Sequence, residues 1–443
     1  MKKWFKENWK MFFLGLVIVV MRVALTFTKA HDDLTIQIEW GKWMYDQNSV
    51  RGLYNNNIWG GLWPNHPPLI SWLYFEAYKI HSLLMWYMSS LGNFIALHRL
   101  APTKFLWFFN FIKWFGGTKL KNTVYPFGVV VVLKQIMVMA DFCIAWIIYK
   151  ICKKNKVNWK KYVLAYLLLP FSWFLSAVWG QSNQLSFLFL IVSFILLTTK
   201  RSIWSPLFYA IAINLKPDCI FLIPLFLFIW IKQKQSWKNL FLGTLLAGIF
   251  SLWTVSWFLV DGKLLNLLSL LKTRLNTGDG LLTLNAYNFW YIFYPFPSKM
   301  ALDSMLYLWI PAKIWGYFFW ILITGFSFKL IKNKKIENIF LTIFMTSFGG
   351  WLFMTGMHER YAFIALVSLL FYSIYQKIYF KYFIVLSTIY FLSMFFVFPL
   401  PEFLNGVIII FNWGNQLVPR ILSLINIFVF INIFIRESKK VKN

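Results

Sequence analysis

The stretch that decides the fold runs from Pro126 to Tyr149, PFGVVVVLKQIMVMADFCIAWIIY. It is apolar nearly throughout, with Lys134, Gln135 and Asp141 as its strongly polar residues. A helix of about 20 such residues crosses a hydrocarbon core of about 30 Å. In lipid the backbone must satisfy its own polar groups, which a helix does. The apolar residues do not alternate with polar ones in ten-residue segments, so a transmembrane barrel is excluded. Outward from this stretch, similar runs recur at 11–28, 162–178, 184–199, 203–215, 218–231, 239–260, 305–328, 338–356, 361–375, 380–398 and 418–435. Composition agrees: 59% of residues are apolar and 13% charged, against roughly 25% charged in a soluble domain. The fold class is therefore all-α, a polytopic integral membrane protein with about twelve transmembrane helices.

The net charge of +29 raises nucleic acid as a partner, but its distribution argues against it. With a cytoplasmic N-terminus, the connections 1–10, 150–161, 200–201, 232–238, 329–337, 376–379 and 436–443 face inside. They are crowded with Lys, as at Lys150, Lys153, Lys154, Lys156, Lys160 and Lys161, and hold few acids, Glu7, Glu337 and Glu437. This is the positive-inside bias of membrane topology, and the basic excess meets anionic lipid headgroups. The chain has no basic soluble domain for a nucleic-acid surface. Both termini are expected in the cytoplasm.

The first apolar run is read as a retained helix, despite Thr28-Lys29-Ala30 loosely imitating a cleavage site. It is long, contains Arg22, and its loss would invert every later loop. Cys143, Cys152 and Cys219 lack metal or redox spacing and read as packing residues. Asp141 lies two turns from Lys134 and is expected to pair with it. Residues 1–435 read as one domain, followed by a Lys-rich, mobile cytoplasmic tail at 436–443.

The unusual polar residues fall on the opposite side, in 29–125, 179–183, 216–217, 261–304 and 357–360. Segment 29–125, the first extracytoplasmic loop, opens on His31-Asp32-Asp33 and continues into a short amphipathic helix at 34–47 carrying Gln37, Glu39 and Trp40. Pro64-Asn65-His66-Pro67-Pro68-Leu69 then leads into an aromatic-rich stretch at 69–90. An extra crossing there would reverse the charge bias downstream. Interfacial helices rich in Trp and Tyr are expected instead.

Six stretches, in order, resemble the GT-C superfamily of membrane glycosyltransferases. They are Asp33 with Trp40 seven residues on; His66-Pro67-Pro68-Leu69; Trp179-Gly180-Gln181-Ser182-Asn183; Ala212-Ile213-Asn214-Leu215-Lys216-Pro217; Asn285-Ala286-Tyr287-Asn288-Phe289-Trp290; and His358-Glu359-Arg360-Tyr361. The resemblance spans about residues 20–375. It is strongest to dolichyl-phosphate-glucose glucosyltransferases and to mannosyltransferases of GPI-anchor assembly with their bacterial relatives. Asn183 stands where many bacterial relatives carry an acid, so any role of that acid is lost here. The resemblance implies transfer of mannose or glucose from a polyprenyl-phosphate donor to a lipid-linked glycan or other cell-surface acceptor, outside the cytoplasm. A bias towards Lys, Asn, Ile and Phe hints at an AT-rich bacterial genome, and hence the cell membrane and undecaprenyl carriers.

The chemistry sets its own requirements. A lipid phosphate is a good leaving group whose charge needs cations and hydrogen-bond donors. The acceptor hydroxyl needs a general base. One carboxylate opposite the leaving group then gives inversion. Asp33 is assigned as that base, although Asp32 and Asp33 are equally suited to cap the helix that follows. Lys216, Arg274, His358 and Arg360 are the candidates for the donor phosphate, and Asp32, Glu39, His66, Gln181, Asn183, Asn285 and Asn288 for substrate. Snorkelling lysine, a salt-bridged turn and helix capping are the bland alternatives for these groups. Trp179 and Trp290 read as sugar or lipid platforms or as ordinary belt residues. His66 with Pro67 and Pro68 reads as a rigid turn before a ligand. No metal-ligand spacing, phosphate-binding loop, dinucleotide fingerprint or nucleophile elbow occurs. No cofactor is expected, with a divalent metal held open because Asp32, Asp33 and Asp279 are able to meet in space. The alternative reading is a transporter or flippase of a lipid-linked sugar, which predicts charges at mid-membrane.

Overall fold

A computed structural model describes residues 2–28, 31–56, 58, 64–97, 118–120, 123–125, 127–199, 201–260, 262–265, 267–269, 280–295, 299–331, 335–398 and 405–442. The chain is mostly helical. In order come α1 (Lys2–Thr26), α2 (Asp32–Asp46), α3 (Pro68–Leu97), strands β1 (Thr118–Leu120) and β2 (Thr123–Tyr125), and α4 (Phe127–Lys154). Then follow α5 (Trp159–Leu168), α6 (Pro170–Trp179), α7 (Asn183–Leu197), α8 (Ser205–Leu215), α9 (Ile223–Lys232) and α10 (Trp237–Ser256). The remainder is β3 (Thr283–Leu284), β4 (Leu306–Tyr307), β5 (Ile310–Pro311), α11 (Ala312–Leu330), α12 (Ile336–Phe353), β6 (Met357–His358), α13 (Phe363–Tyr375), α14 (Tyr379–Val397) and α15 (Asn405–Lys442).

Among the described residues five helices are long and apolar enough to cross a membrane: α4, α10, α12, α14 and the part of α15 from Gln416 to Lys440. The bent pair α5–α6 makes a sixth if it is one span. Several long apolar helices of this kind mark a multi-pass membrane protein. Their surfaces fit that solvent. Along α10, Phe241, Leu245, Ile249 and Trp253 are all exposed, four residues apart on one face. In α15, Ile421, Leu424, Phe428, Ile431 and Ile435 form a similar exposed stripe. Apolar stripes of that length suit lipid rather than water.

Several elements differ from the sequence reading, each for a local reason. The helix expected at 162–178 is broken, bending by 45° between Leu168 and Pro170. Proline lacks the amide donor and disfavours helical backbone in the residue before it, here Leu169 at ψ 135°. The helix expected from 305 starts at Ala312, because β4 and β5 pair as a hairpin across Leu308 and Trp309. Both of those residues have positive φ, 50° and 67°, the geometry of a tight hairpin turn. Residues 69–90 lie in one continuous helix, α3, rather than several. At the other end, α15 runs on through the expected tail to Lys442. Glu437 there is buried, accepting from the Tyr372 hydroxyl at 3.3 Å, from Tyr379 and from Lys440 Nζ at 2.8 Å.

The chain divides into two compact units, interleaved in sequence. The first holds Met1–Asp141, Leu175–Leu185 and Ser251–Leu275. Its α2 and α3 pack closely, with Leu34, Ile38, Met44, Ile70, Tyr74 and Ala77 buried. Gly41 allows the approach, since a Cβ there would lie 2.8 Å from the Tyr74 carbonyl oxygen. Arg22 of α1 donates to Asp141 of α4 at 2.5 Å, both fully buried. Lys134 instead donates to the Thr28 carbonyl at 2.8 Å and its hydroxyl at 3.1 Å. The expected Lys134–Asp141 pair is therefore replaced. Arg22 enters from another helix, and Lys134 satisfies the backbone past the end of α1.

The second unit holds Phe142–Phe174, Ser186–Phe250 and Asn276–Asn443. Its core is α12 packed against α11 and α13. The α12 side chains from Ile339 to Leu352 are buried continuously. Gly349 and Gly350 let α11 close in, the first with a Cβ position 2.8 Å from Ile323. The two-residue strands β3 and β6 pair in parallel, Thr283 with Met357 and Leu284 with His358.

Candidate active site

In the first unit the candidate residues begin where α2 begins. The N-cap is His31, whose Nδ1 accepts from the Asp33 backbone N–H at 3.1 Å. An accepting Nδ1 requires the ring proton on Nε2, so the neutral tautomer fits. Asp33 Oδ2 also lies 3.6 Å from Nδ1, but a ring nitrogen that accepts from the backbone makes no charged bridge there. Asp32 and Asp33 occupy the first helical turn, where the helix dipole favours negative charge. Capping is thus done by the histidine. The Asp33 carboxylate is 30% exposed and accepts from Gln181 Nε2 at 3.2 Å.

Gln181 is positioned by a strained turn. The Gly180 and Gln181 amides both donate to the Leu175 carbonyl, at 3.1 and 3.0 Å. Gly180 has φ 82°, and a Cβ there would lie 2.7 Å from Leu34 Cδ2 and 3.1 Å from Lys134 Cγ. Only glycine fits both the backbone and the space. Trp179 is fully buried with its ring centroid 4.5 Å from that of His31, tilted by 36°. Of its two readings, packing is the one the burial fits, against the capping histidine. Asn183 is buried at the start of α7.

Glu39 is on α2, and its Oε1 is buried with no hydrogen-bond partner among the described residues. Burial raises its carboxyl above the ordinary range, opposed by Lys42 and assisted by Asp46. His66 is held on two sides. Its Nδ1 is 2.7 Å from the Tyr74 hydroxyl, and its carbonyl accepts from the Tyr54 hydroxyl at 2.7 Å. The His66 ring also meets Trp40 edge-on at 5.4 Å, so the Pro-rich turn is a rigid structural joint.

In the second unit, β6 and the following turn (Glu359–Ala362) gather three of the four expected phosphate-binding side chains, Lys216, His358 and Arg360, around Tyr361. Lys216 Nζ lies 5.5 Å from the Tyr361 ring centroid and the Arg360 guanidinium 5.8 Å. The His358 ring lies 5.1 Å from the same ring. The fourth, Arg274, lies outside the described residues, as does Asp279. Both Lys216 and Arg360 have an acid near them: Lys216 is 3.4 Å from Asp218 and Arg360 2.8 Å from Glu359. Glu359 is 1% exposed, with His358 Nδ1 at 3.9 Å on its other side. Burial alone would raise the Glu359 carboxyl. The Arg360 charge, with the His358 ring on the other side, outweighs it and holds the group below the ordinary range.

The backbone of this turn is anchored. The His358 carbonyl accepts from Trp351 Nε1 at 2.9 Å, and the Arg360 carbonyl from the Tyr390 hydroxyl at 2.9 Å. Asn285, at φ 59°, bridges to His358 through the backbone. Asn288 is fully buried; its Nδ2 donates to the Trp351 carbonyl at 3.3 Å and its Oδ1 accepts from the Tyr291 amide at 3.2 Å. Trp290 Nε1 donates to the Phe353 carbonyl at 2.7 Å. Asn288 and Trp290 therefore shape the loop behind the turn.

Sequence reasoning missed two groups. Asp218 is the acid that holds Lys216, and its signal was a carboxylate two residues past that lysine. Arg420 lies one residue past Pro419 inside α15, with its Nε buried and, among the described residues, without a hydrogen-bond partner. Its charge acts on Tyr291, whose hydroxyl donates to Gln416. A lone arginine in an apolar helix was the available signal. Among the described residues, no three His, Cys, Asp or Glu side chains gather as a metal-binding group. The sequence matches no known protein family and no curated protein.

Proposed function

We propose that this protein is an inverting glycosyltransferase of the membrane, moving a mannose or glucose from a polyprenyl-phosphate donor to a lipid-linked or cell-surface acceptor. On this reading it crosses the membrane about twelve times, and the reaction takes place on the extracytoplasmic side. Asp33 is the general base for the acceptor hydroxyl. Lys216, His358 and Arg360, with Arg274, take the charge that develops on the leaving phosphate. Gln181 orients the base.

The observation that carries the reading is the release of Asp33 from capping. His31 performs that task, and the carboxylate stays accessible beside an amide donor. A helix that needed only a cap would use the aspartate itself. The resemblance in six ordered motifs points to the same chemistry.

The test is a panel of polyprenyl-phosphate sugars incubated with the purified protein and with Asp33→Asn. Transfer or hydrolysis by the wild type and its loss in the variant are expected. A variant that folds and transfers normally would end the assignment. His358→Ala and Arg360→Ala are expected to raise KM for the donor, and unchanged donor dependence would remove their role.

One observation favours the second reading, a transporter of lipid-linked sugar. Arg22, Lys134 and Asp141 form a fully buried charged set on two helices. Buried charges in spanning helices often mark translocation paths. Passage of a labelled lipid-linked sugar across proteoliposomes, without any glycosyl transfer, would select it.

A further inference from the structure

A groove of about 540 Å³ opens within the first unit, at the far end of α2 from Asp33. The 15 residues of α2 set the two places roughly 22 Å apart. Three elements supply its walls: the turn after α2, the first half of α3, and the end of α10. Asn48, at φ 46°, reverses the chain. The Ser49 hydroxyl then accepts from the Arg51 amide at 3.1 Å, closing the turn. Gly52 ties it to the Phe258 carbonyl just past α10.

This turn presents Arg51. The residue is exposed, and among the described residues its guanidinium has no hydrogen bond or ion pair. Opposite stands Lys79 of α3, its ammonium 4.0 Å over the Phe75 ring and 3.1 Å from Glu76. The groove therefore carries excess positive charge. Its other wall is aromatic. Trp72 and Trp257 lie 5.3 Å apart, and Trp257 meets Trp253 at 4.3 Å.

Both Trp253 and Trp257 stand at the end of α10, which is long and apolar enough to span. Indoles at the ends of spanning helices mark the headgroup level of a bilayer. At that level an exposed guanidinium, a second cation and a broad aromatic wall match one ligand chemistry. Arginine binds phosphate oxygens through a planar fork, and lysine adds a point charge. Indole faces cover a sugar ring or the apolar beginning of a lipid. The volume is within the range of small-ligand sites.

We propose that this groove binds a phosphate ester, with Arg51 and Lys79 on the phosphate and Trp72 and Trp257 on the attached group. The proposal goes beyond the glycosyltransferase reading and does not depend on it. The source is either an anionic lipid headgroup or a soluble sugar phosphate, and the two are separable by experiment.

The test is direct binding to the purified full chain in neutral detergent. Dioctanoyl phosphatidylglycerol and glucose 1-phosphate are titrated, with dioctanoylglycerol and glucose as their phosphate-free counterparts. At least one phosphate ester is expected to bind at least tenfold more tightly than its counterpart. Arg51→Glu is expected to weaken that binding at least tenfold, with an unchanged unfolding temperature because the side chain is exposed. Trp72→Ala is expected to weaken it as well, while Asp33→Asn leaves it unaltered. Preference for the lipid assigns a headgroup, and preference for glucose 1-phosphate assigns a soluble ligand. Equal binding of esters and counterparts, or binding indifferent to Arg51→Glu, would overturn the proposal.

Discussion

Two carboxylates sit beside two histidines and meet opposite fates. Asp33 follows His31 by two residues, and Glu359 follows His358 directly. In the first case the histidine takes a backbone amide, and the carboxylate remains 30% exposed with an amide donor at 3.2 Å. In the second, histidine and arginine face the carboxylate itself, which is 1% exposed and held below its ordinary range. A carboxylate stabilised in that way is a weak base and a good scaffold. An accessible one can be reached by a second reactant. The same residue types thus leave one carboxylate accessible in the first unit and make the other a strut in the second.

The sharpest way to break this contrast is to neutralise each acid without changing its shape. Asp33→Asn is expected to lower kcat for glycosyl transfer by about 100- to 10,000-fold, the usual contribution of a general base. Its unfolding temperature should hold, because asparagine keeps an oxygen for Gln181. Glu359→Gln should do the reverse. Removing one partner of a buried ion pair costs about 3–5 kcal/mol, read as a lower unfolding temperature in detergent. A stable Glu359→Gln, or an unstable Asp33→Asn, would interchange the two roles.

The sign of the pH dependence sharpens the point. A depressed carboxyl contributes stability that is fully present above its unfolded value, about 4.3, and is lost as pH falls through the folded value. The stability gap between wild type and Glu359→Gln should therefore be largest near neutral pH and narrow on acidification below about pH 4. A gap independent of pH would show that packing, not charge, explains the loss.

How far the sequence was legible follows the same division between local and distant causes. Long apolar runs such as α4 and α10 were readable because burial in lipid requires an unbroken stretch. The His358-Glu359-Arg360 turn was readable as a charged unit because its partners are adjacent in the chain. The partner of Asp141 was not, since Arg22 lies 119 residues away and Lys134 offered a nearer decoy. Nor was the release of Asp33, because histidine is not among the preferred N-caps and the aspartates are. The hairpin at Leu306–Pro311 was hidden for another reason. Its turn residues are Leu308 and Trp309, where Gly or Asn would have given the signal.

A smaller effect tests how the Asp33 carboxylate is held. Gly180→Ala would force a Cβ to 2.7 Å from Leu34 at a φ of 82°. Strain of this kind costs about 1–3 kcal/mol. The expected outcome is a lower unfolding temperature together with reduced kcat, since Gln181 moves with the turn. Reduced stability with unchanged kcat would mean that Gln181 does not orient the base.

The smallest effect belongs to a third acid, Glu39, which falls between the other two. It is part-buried on α2, with one oxygen lacking a hydrogen-bond partner among the described residues and its carboxyl raised mainly by burial. A raised carboxyl is disfavoured in its charged form within the fold. Its cost appears as pH rises through the unfolded value, about 4.3, and is complete above the folded value. Glu39→Gln removes that charge and supplies amide hydrogens of its own. A slightly higher unfolding temperature near neutral pH is expected, with the advantage vanishing in acid. If Glu39 binds the acceptor, the same substitution should also raise the acceptor KM while leaving kcat near wild type. A more stable variant with unaltered acceptor dependence would assign Glu39 to neither role and leave Asp33 as the acid of α2 that chemistry uses.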